Sequence, residues 1–142
     1  ELNRTPLPHE KNGKNHGGYA GLSVRFSQDM FDPIFINPDG SAGMDHGKSY
    51  PWRYYGLKDI RGNRTGAAIF TNPQNLSYPE SWFFTNNEDH PFYYFSPAPI
   101  FNGPHHMNSG EKLILEYRMQ FYSGEMDHHQ LKRDYNRYLN NE

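Results

Sequence analysis

Residues 52–71, WRYYGLKDIRGNRTGAAIFT, read as a strand, a tight turn and a second strand. Trp52 to Ile60 is the first strand, Arg61-Gly62-Asn63 the turn signal, and Thr65 to Thr71 the return. Working outward, the same grammar repeats. Ile34 to Asn37 is a short strand closed by Pro38-Asp39-Gly40, and a long loop over residues 38–51 leads into the hairpin. Downstream, the loop Asn72 to Pro79 precedes a strand over Ser81 to Thr85. Asn86-Asn87-Glu88-Asp89 turns the chain into Phe92 to Ser96.

The two outermost strands show period two most clearly. From Tyr19 to Phe26, Ala20, Leu22, Val24 and Phe26 alternate with Tyr19, Gly21, Ser23 and Arg25. From Glu111 to Tyr122, Leu113, Leu115, Tyr117, Met119 and Phe121 share one face, opposite Glu116, Arg118 and Gln120. Pro97, Pro99 and Pro104 make the stretch between strands irregular. Residues 1–18 are polar and rich in Gly, Asn and Pro, and read as an arm. The one helix expected is Asp127 to Asn141. Asp127 is its cap, Gln130 holds the capping-box position, and Leu131, Tyr135, Tyr138 and Leu139 are spaced to dock on a sheet. Seven short strands with turns between them predict an all-β, antiparallel sandwich, closed by one amphipathic helix. The first strand has no partner before it, which predicts half of a larger sandwich that relies on a missing N-terminal half or a homo-oligomer partner.

The composition supports a core built from rings. Only 35% of the 142 residues are hydrophobic and the mean hydropathy is −0.99, but 16% are aromatic. The net charge of −2 and the scattered Lys and Arg argue against a nucleic-acid partner. The longest apolar run is of the order of Ala67-Ala68-Ile69-Phe70, far short of a bilayer span, so no membrane partner is expected. Without cysteine there is no disulfide, thiolate nucleophile or cysteine zinc site. A periplasmic or extracellular location is expected ahead of a cytoplasmic one, and no cofactor is expected.

Several strings carry a resemblance. They are His16-Gly17-Gly18-Tyr19-Ala20-Gly21-Leu22-Ser23-Val24-Arg25; Gly66-Ala67-Ala68-Ile69-Phe70 with Asn72-Pro73-Gln74-Asn75; Pro79-Glu80-Ser81-Trp82; and Gly110-Glu111-Lys112-Leu113 through Tyr117-Arg118 to Gly124. In order and spacing they resemble the C-terminal half of a bacterial family of unknown function labelled "methane oxygenase PmoA". That family is similar to galactose-mutarotase-like sandwiches, which handle sugars. The resemblance implies a carbohydrate ligand. The chain departs from the pattern at Thr71-Asn72, where relatives show Asp-His, and at Trp52-Arg53-Tyr54-Tyr55-Gly56, which lacks the usual Asp. The methane label implies an integral membrane protein, at odds with the apolar runs here.

Candidate site residues follow. Trp52 and Trp82 offer indole faces to a sugar ring, with burial in the core as the competing role. Arg53, Asn72 and Asn75 are candidates to position hydroxyls, the asparagines competing with a role in Asx turns. His16 is the candidate proton-transfer group and Arg25 an anion stabiliser, against a turn histidine and a paired arginine. Asp45, His46 and His90 are the least poor metal set among three acid–His pairs, none with ligand spacing. The leading expectation is therefore a carbohydrate-active protein, the substrate-binding or catalytic half of an enzyme acting on a glycoside or keto-sugar. A non-catalytic carbohydrate-binding module comes second, and a metal-dependent oxygenase is disfavoured.

Overall fold

A computed structural model describes residues 21–141. Within them the chain forms β1 (Val24–Arg25), β2 (Phe31–Ile36), β3 (Trp52–Lys58), β4 (Arg64–Thr71), β5 (Ser81–Asn87), β6 (Phe92–Ala98), β7 (Tyr117–Ser123) and α1 (His128–Leu139). One sheet has the order β1-β6-β5 and the other β2-β3-β4-β7, with every pair antiparallel. The fold is an antiparallel β-sandwich with a C-terminal helix.

The hairpin over residues 52–71 is the centre of the larger sheet. Seven consecutive pairs run from Trp52↔Phe70 to Lys58↔Arg64. Gly62, at φ +84°, lets the chain reverse, and Asp59 and Asn63 close the turn backbone to backbone at 2.9 Å. Alternation then sorts side chains onto two faces. Tyr55, Leu57, Ala67 and Ile69 face the smaller sheet and join Phe35, Trp82, Phe84, Tyr93 and Phe95 in the core between sheets. Trp52, Tyr54, Ala68 and Phe70 face outward, under Leu131 and Tyr135 of α1. Gly56 lies opposite Gly66, and the Tyr54 hydroxyl occupies the room a Cβ would take at either glycine.

Three expectations need correction. The first strand, expected over Tyr19 to Phe26, pairs in the described part only at Val24↔Phe95 and Arg25↔Tyr94; Tyr19 and Ala20 lie outside the described residues. The last strand starts at Tyr117 rather than Glu111, because β4 ends at Thr71, the partner of Tyr117, and no ladder continues beyond it. The apolar alternation over Leu113 and Leu115 is real, but period alone does not supply a neighbouring strand. The helix is shorter at its C-terminus than expected, ending at Leu139. Asp127 caps it, accepting from the Gln130 amide at 2.9 Å. The return arm of the capping box is missing, because the Gln130 carboxamide is held by Asp134 at 2.9 and 3.0 Å.

No helix of the described residues is long and apolar enough to cross a membrane.

Candidate functional site

The loop from β4 to β5 is built by its asparagines. Asn72 Oδ1 accepts the Gln74 amide at 2.8 Å, an Asx turn, and Asn72 Nδ2 donates to Glu116 Oε2 at 3.2 Å. Asn75 is deeper. Its Nδ2 donates to the Glu116 carbonyl at 2.9 Å and to Glu80 Oε1 at 3.0 Å, and its Oδ1 accepts the Glu116 amide at 2.8 Å. The loop is thereby pinned to the entry of β7. On the helix side, the Tyr78 and Tyr135 hydroxyls share a bond of 2.8 Å.

Beneath this loop sits a buried polar cluster. Glu80 is fully buried. Its Oε2, the Tyr117 hydroxyl and the Tyr138 hydroxyl are buried oxygens without a hydrogen-bond partner among the described residues. Tyr117 and Glu80 act on each other, the phenol lowering the acid and the carboxyl raising the phenol. Desolvation pushes the Glu80 carboxyl above the ordinary carboxylate range, although Asn75 and Thr71 oppose the shift, and it pushes both phenols upward too. A carboxyl held toward its neutral form beside unsatisfied phenols is the kind of arrangement that concentrates at functional sites.

Above the cluster a cleft of about 270 Å³ opens, lined by Asn72, Pro73, Gln74, Tyr138, Leu139 and Asn141. Three carboxamide residues and one tyrosine thus share one cleft. The Tyr138 ring is held by Phe70 at 6.3 Å and by the Arg118 guanidinium at 5.0 Å. A second, larger and more open cleft of about 740 Å³ lies at the other end of the sandwich, between β5 and β6, and includes Asp29, Asn87, His90 and Phe92.

The sequence-predicted residues divide between these places. Asn72 lines the first cleft, whereas Asn75 lies below it with its amide spent on Glu80 and Glu116. Arg25 is exposed on β1 with its guanidinium 4.5 Å from the Phe92 ring, beside the second cleft. His16 lies outside the described residues. Both tryptophans take the competing core role. Trp82 is fully buried, stacked on Phe95 at 6.1 Å, with Nε1 donating to the Tyr50 carbonyl at 2.9 Å. Trp52 is buried under the helix against the His128 ring. In these positions neither indole presents a face to a ligand.

Arg53 is also turned inward. It projects between the sheets over the Phe84 ring at 4.1 Å and is fully buried. Its guanidinium donates to Asn37 Oδ1 at 2.7 Å, the Gly43 carbonyl at 2.8 Å and the Asp45 carbonyl at 3.1 Å. Desolvation lowers it to about 10, against the pull of Asp45, Tyr50 and Asp39. It anchors the loop over residues 37–45 rather than facing a hydroxyl in solvent. That loop carries its own polar cluster, in which the Tyr50 hydroxyl donates to Asp39 at 2.7 Å and Asp45 at 3.2 Å, with Lys48 alongside both carboxylates. Hydroxyls of Ser41 and Tyr50 hold the Asp39 carboxyl well below its usual range.

Asp45, His46 and His90 do not form a metal set. His46 Nδ1 lies against the backbone of Phe84, and no group of three potential ligands converges among the described residues. The residues missed by sequence reasoning are Glu80, Tyr117 and Tyr138. A signal for Glu80 was present: a carboxylate between a proline and the start of a strand that enters the core.

A family model described as "Family of unknown function (DUF6807)" matches residues 2–136. No curated protein and no solved structure matches the chain.

Proposed function

The chain belongs to this family of unknown function, and we propose that it binds carbohydrate through the cleft between the Asn72–Glu80 loop and the end of α1. The observation that carries the reading is that Asn72, Gln74 and Asn141 line one cleft together with Tyr138. A carboxamide both donates and accepts, which matches a sugar hydroxyl, and an aromatic ring matches the C–H face of a pyranose or furanose. Asn72 Oδ1 keeps one lone pair beyond its bond to Gln74, while its Nδ2 serves Glu116 and acts on the Tyr138 phenol. The quoted strings that resemble a family similar to mutarotase-like sandwiches support the same ligand class.

A second reading makes the site catalytic, on a glycoside or keto-sugar. It is favoured by Glu80, a buried acid whose carboxyl is pushed up by desolvation in a cluster with the phenols of Tyr117 and Tyr138.

The test is a heteronuclear NMR titration of the full chain with mono- and oligosaccharides, keto-sugars included. Binding predicts saturable shifts at residues 72–74 and 138–141, and affinity at least about tenfold weaker in Gln74→Ala/Asn141→Ala, a loss of about 1.4 kcal/mol. Shifts confined to residues 28–29 and 85–92 move the ligand to the other cleft and overturn the assignment, as does no response across the panel. Product formation that is lost in Glu80→Gln, with binding retained, selects the catalytic reading.

A further inference from the structure

Each β-sheet edge exposes backbone groups that natural proteins cover or disrupt. Among the described residues, three of the four edges are managed. In β2, Pro33 lacks an N–H, Asp32 sits at φ +53°, and the register shifts between Phe31 and Ile34. Along β5, Gly47 donates to the Trp82 carbonyl at 2.8 Å, the Trp82 amide donates to the Lys48 carbonyl at 3.1 Å, and His46 Nδ1 covers Phe84. The β1 edge is two residues long. Among the described residues the fourth edge, β7, has none of these devices. It pairs with β4 over seven residues without a bulge, contains no proline and carries one charge, Arg118. Among the described residues no strand lies on its far side.

The register shows which groups point outward. Asn72 donates to the Glu116 carbonyl at 3.1 Å and Gly124 to the Arg64 carbonyl at 2.8 Å. Even-numbered residues of β7 therefore bond to β4, and the backbone groups of Tyr117, Met119, Phe121 and Ser123 face away from it. The side chains of Met119 and Phe121 are 38% and 67% exposed. An apolar pair and a row of outward backbone groups thus share the same residues.

We propose that β7 pairs antiparallel with β7 of a second copy of this chain, on a two-fold axis at Gln120. This register uses the whole strand. Tyr117 meets Ser123 and Met119 meets Phe121 in hydrogen-bonded pairs, while Arg118 meets Tyr122 and Gln120 meets Gln120 in the pairs between. Every outward N–H and C=O finds a partner, Met119 covers Phe121 twice, and the single charge of the strand lies opposite a tyrosine rather than its own copy. The two four-stranded sheets become one continuous sheet of eight. Self-complementarity across a two-fold axis is what an isologous interface requires.

The chain has no cysteine, so single cysteines report the register directly. In a non-hydrogen-bonded antiparallel pair the Cα atoms lie about 4.5 Å apart, within disulfide reach. Sedimentation equilibrium of the full chain is expected to show a dimer, and Phe121→Lys is expected to weaken association at least tenfold while leaving the circular dichroism spectrum unchanged. Mild oxidation is expected to cross-link Gln120→Cys, but not Ser123→Cys, whose two copies lie at opposite ends of the paired strands. A monomer at every concentration overturns the proposal, and protected Met119 and Phe121 amides in that monomer would assign the edge to another segment of the same chain. A dimer that Phe121→Lys leaves intact, or in which Ser123→Cys cross-links as readily as Gln120→Cys, overturns it as well.

Discussion

Asn75 holds Glu116 as one strand holds another: its Nδ2 donates to the Glu116 carbonyl at 2.9 Å and its Oδ1 accepts the Glu116 amide at 2.8 Å. A side-chain amide has the same donor and acceptor as a peptide group, so Asn75 extends the β4–β7 ladder past the end of β4. Its remaining N–H reaches Glu80, which ties the loop to the buried acid beneath. Asn75→Ala leaves the Glu116 amide and the Glu80 carboxyl without these partners, while the Glu116 carbonyl keeps the Asn72 amide at 3.1 Å. The expected cost is at least about 2 kcal/mol, since each buried polar group left unsatisfied costs about 1–3 kcal/mol. Urea denaturation measures it, and an unchanged midpoint would show that water replaces the amide. Although Asn75-Leu-Ser77 is a glycan acceptor tripeptide, the buried Asn75 is expected to stay unmodified in the folded protein.

Glu80 imposes a pH dependence of known sign. Burial raises its folded-state pKa above the unfolded value, so the folded state keeps the proton that the unfolded state gives up. The favourable contribution is fully present below the unfolded pKa and is lost as pH rises toward the folded pKa. Glu80→Gln mimics the neutral acid and still accepts from Asn75. It is expected to raise the melting temperature at neutral pH and to remove the decline that begins above the unfolded pKa. Melting curves across pH for the two proteins check this; a variant that is less stable at neutral pH would mean that Glu80 is ionised in the fold.

Gly66 is constrained by its neighbours rather than by its own dihedrals. A Cβ there would stand 2.6 Å from the Tyr55 carbonyl and press on the Tyr54 hydroxyl. The carbonyl belongs to the ladder and cannot step aside, so Gly66→Ala is expected to cost about 1–3 kcal/mol, the range for overpacking. Chemical denaturation measures it, and a neutral substitution would show that β3 and β4 part more easily than their register implies.

Arg53 is expected to tolerate no replacement. Arg53→Lys keeps the charge but loses the planar fork that reaches Asn37, Gly43 and Asp45 together. Arg53→Met leaves Asn37 Oδ1 unpaired, at about 1–3 kcal/mol, while the Gly43 and Asp45 carbonyls keep the Asn37 side-chain amide at 2.9 Å and the Lys48 backbone amide at 3.1 Å. Hydrogen exchange over residues 37–46 should accelerate in both variants before the sheet itself opens. Equal protection in variant and parent would mean that Tyr50 and Asn37 hold the loop without it.

The parts of this fold legible in the sequence are those governed by short-range pattern. The hairpin over residues 52–71 rests on two strands and a glycine turn, and the helix on Asp127 and its apolar spacing. What escaped depends on partners far along the chain. Arg53 alternates like any strand residue, and only the loop folded over it turns an apparent ligand-binding arginine into an anchor. Glu111 to Glu116 alternates as well as any strand, yet β4 has already ended. Of the candidate site, Asn72 was legible because loop amides are a local signal. Glu80, Tyr117 and Tyr138 come from three separate elements, and nothing in their spacing brings them together.

The tryptophans make the sharpest optical prediction. Trp82 stacks on Phe95 and donates to a buried carbonyl, and Trp52 lies beneath α1, so both indoles are shielded from water. Emission is expected to be blue-shifted and resistant to acrylamide in the folded protein, with both properties lost together on unfolding. A sugar seated on Tyr138 touches neither ring, so saturation of the cleft should leave the emission maximum in place while the NMR shifts at residues 72–74 and 138–141 reach their limit. A saturable red or blue shift with the same sugar would mean that an indole becomes accessible on binding. The ligand would then be seated in the sandwich rather than in the cleft beside α1, and the roles of Trp52 and Trp82 would have to be redrawn.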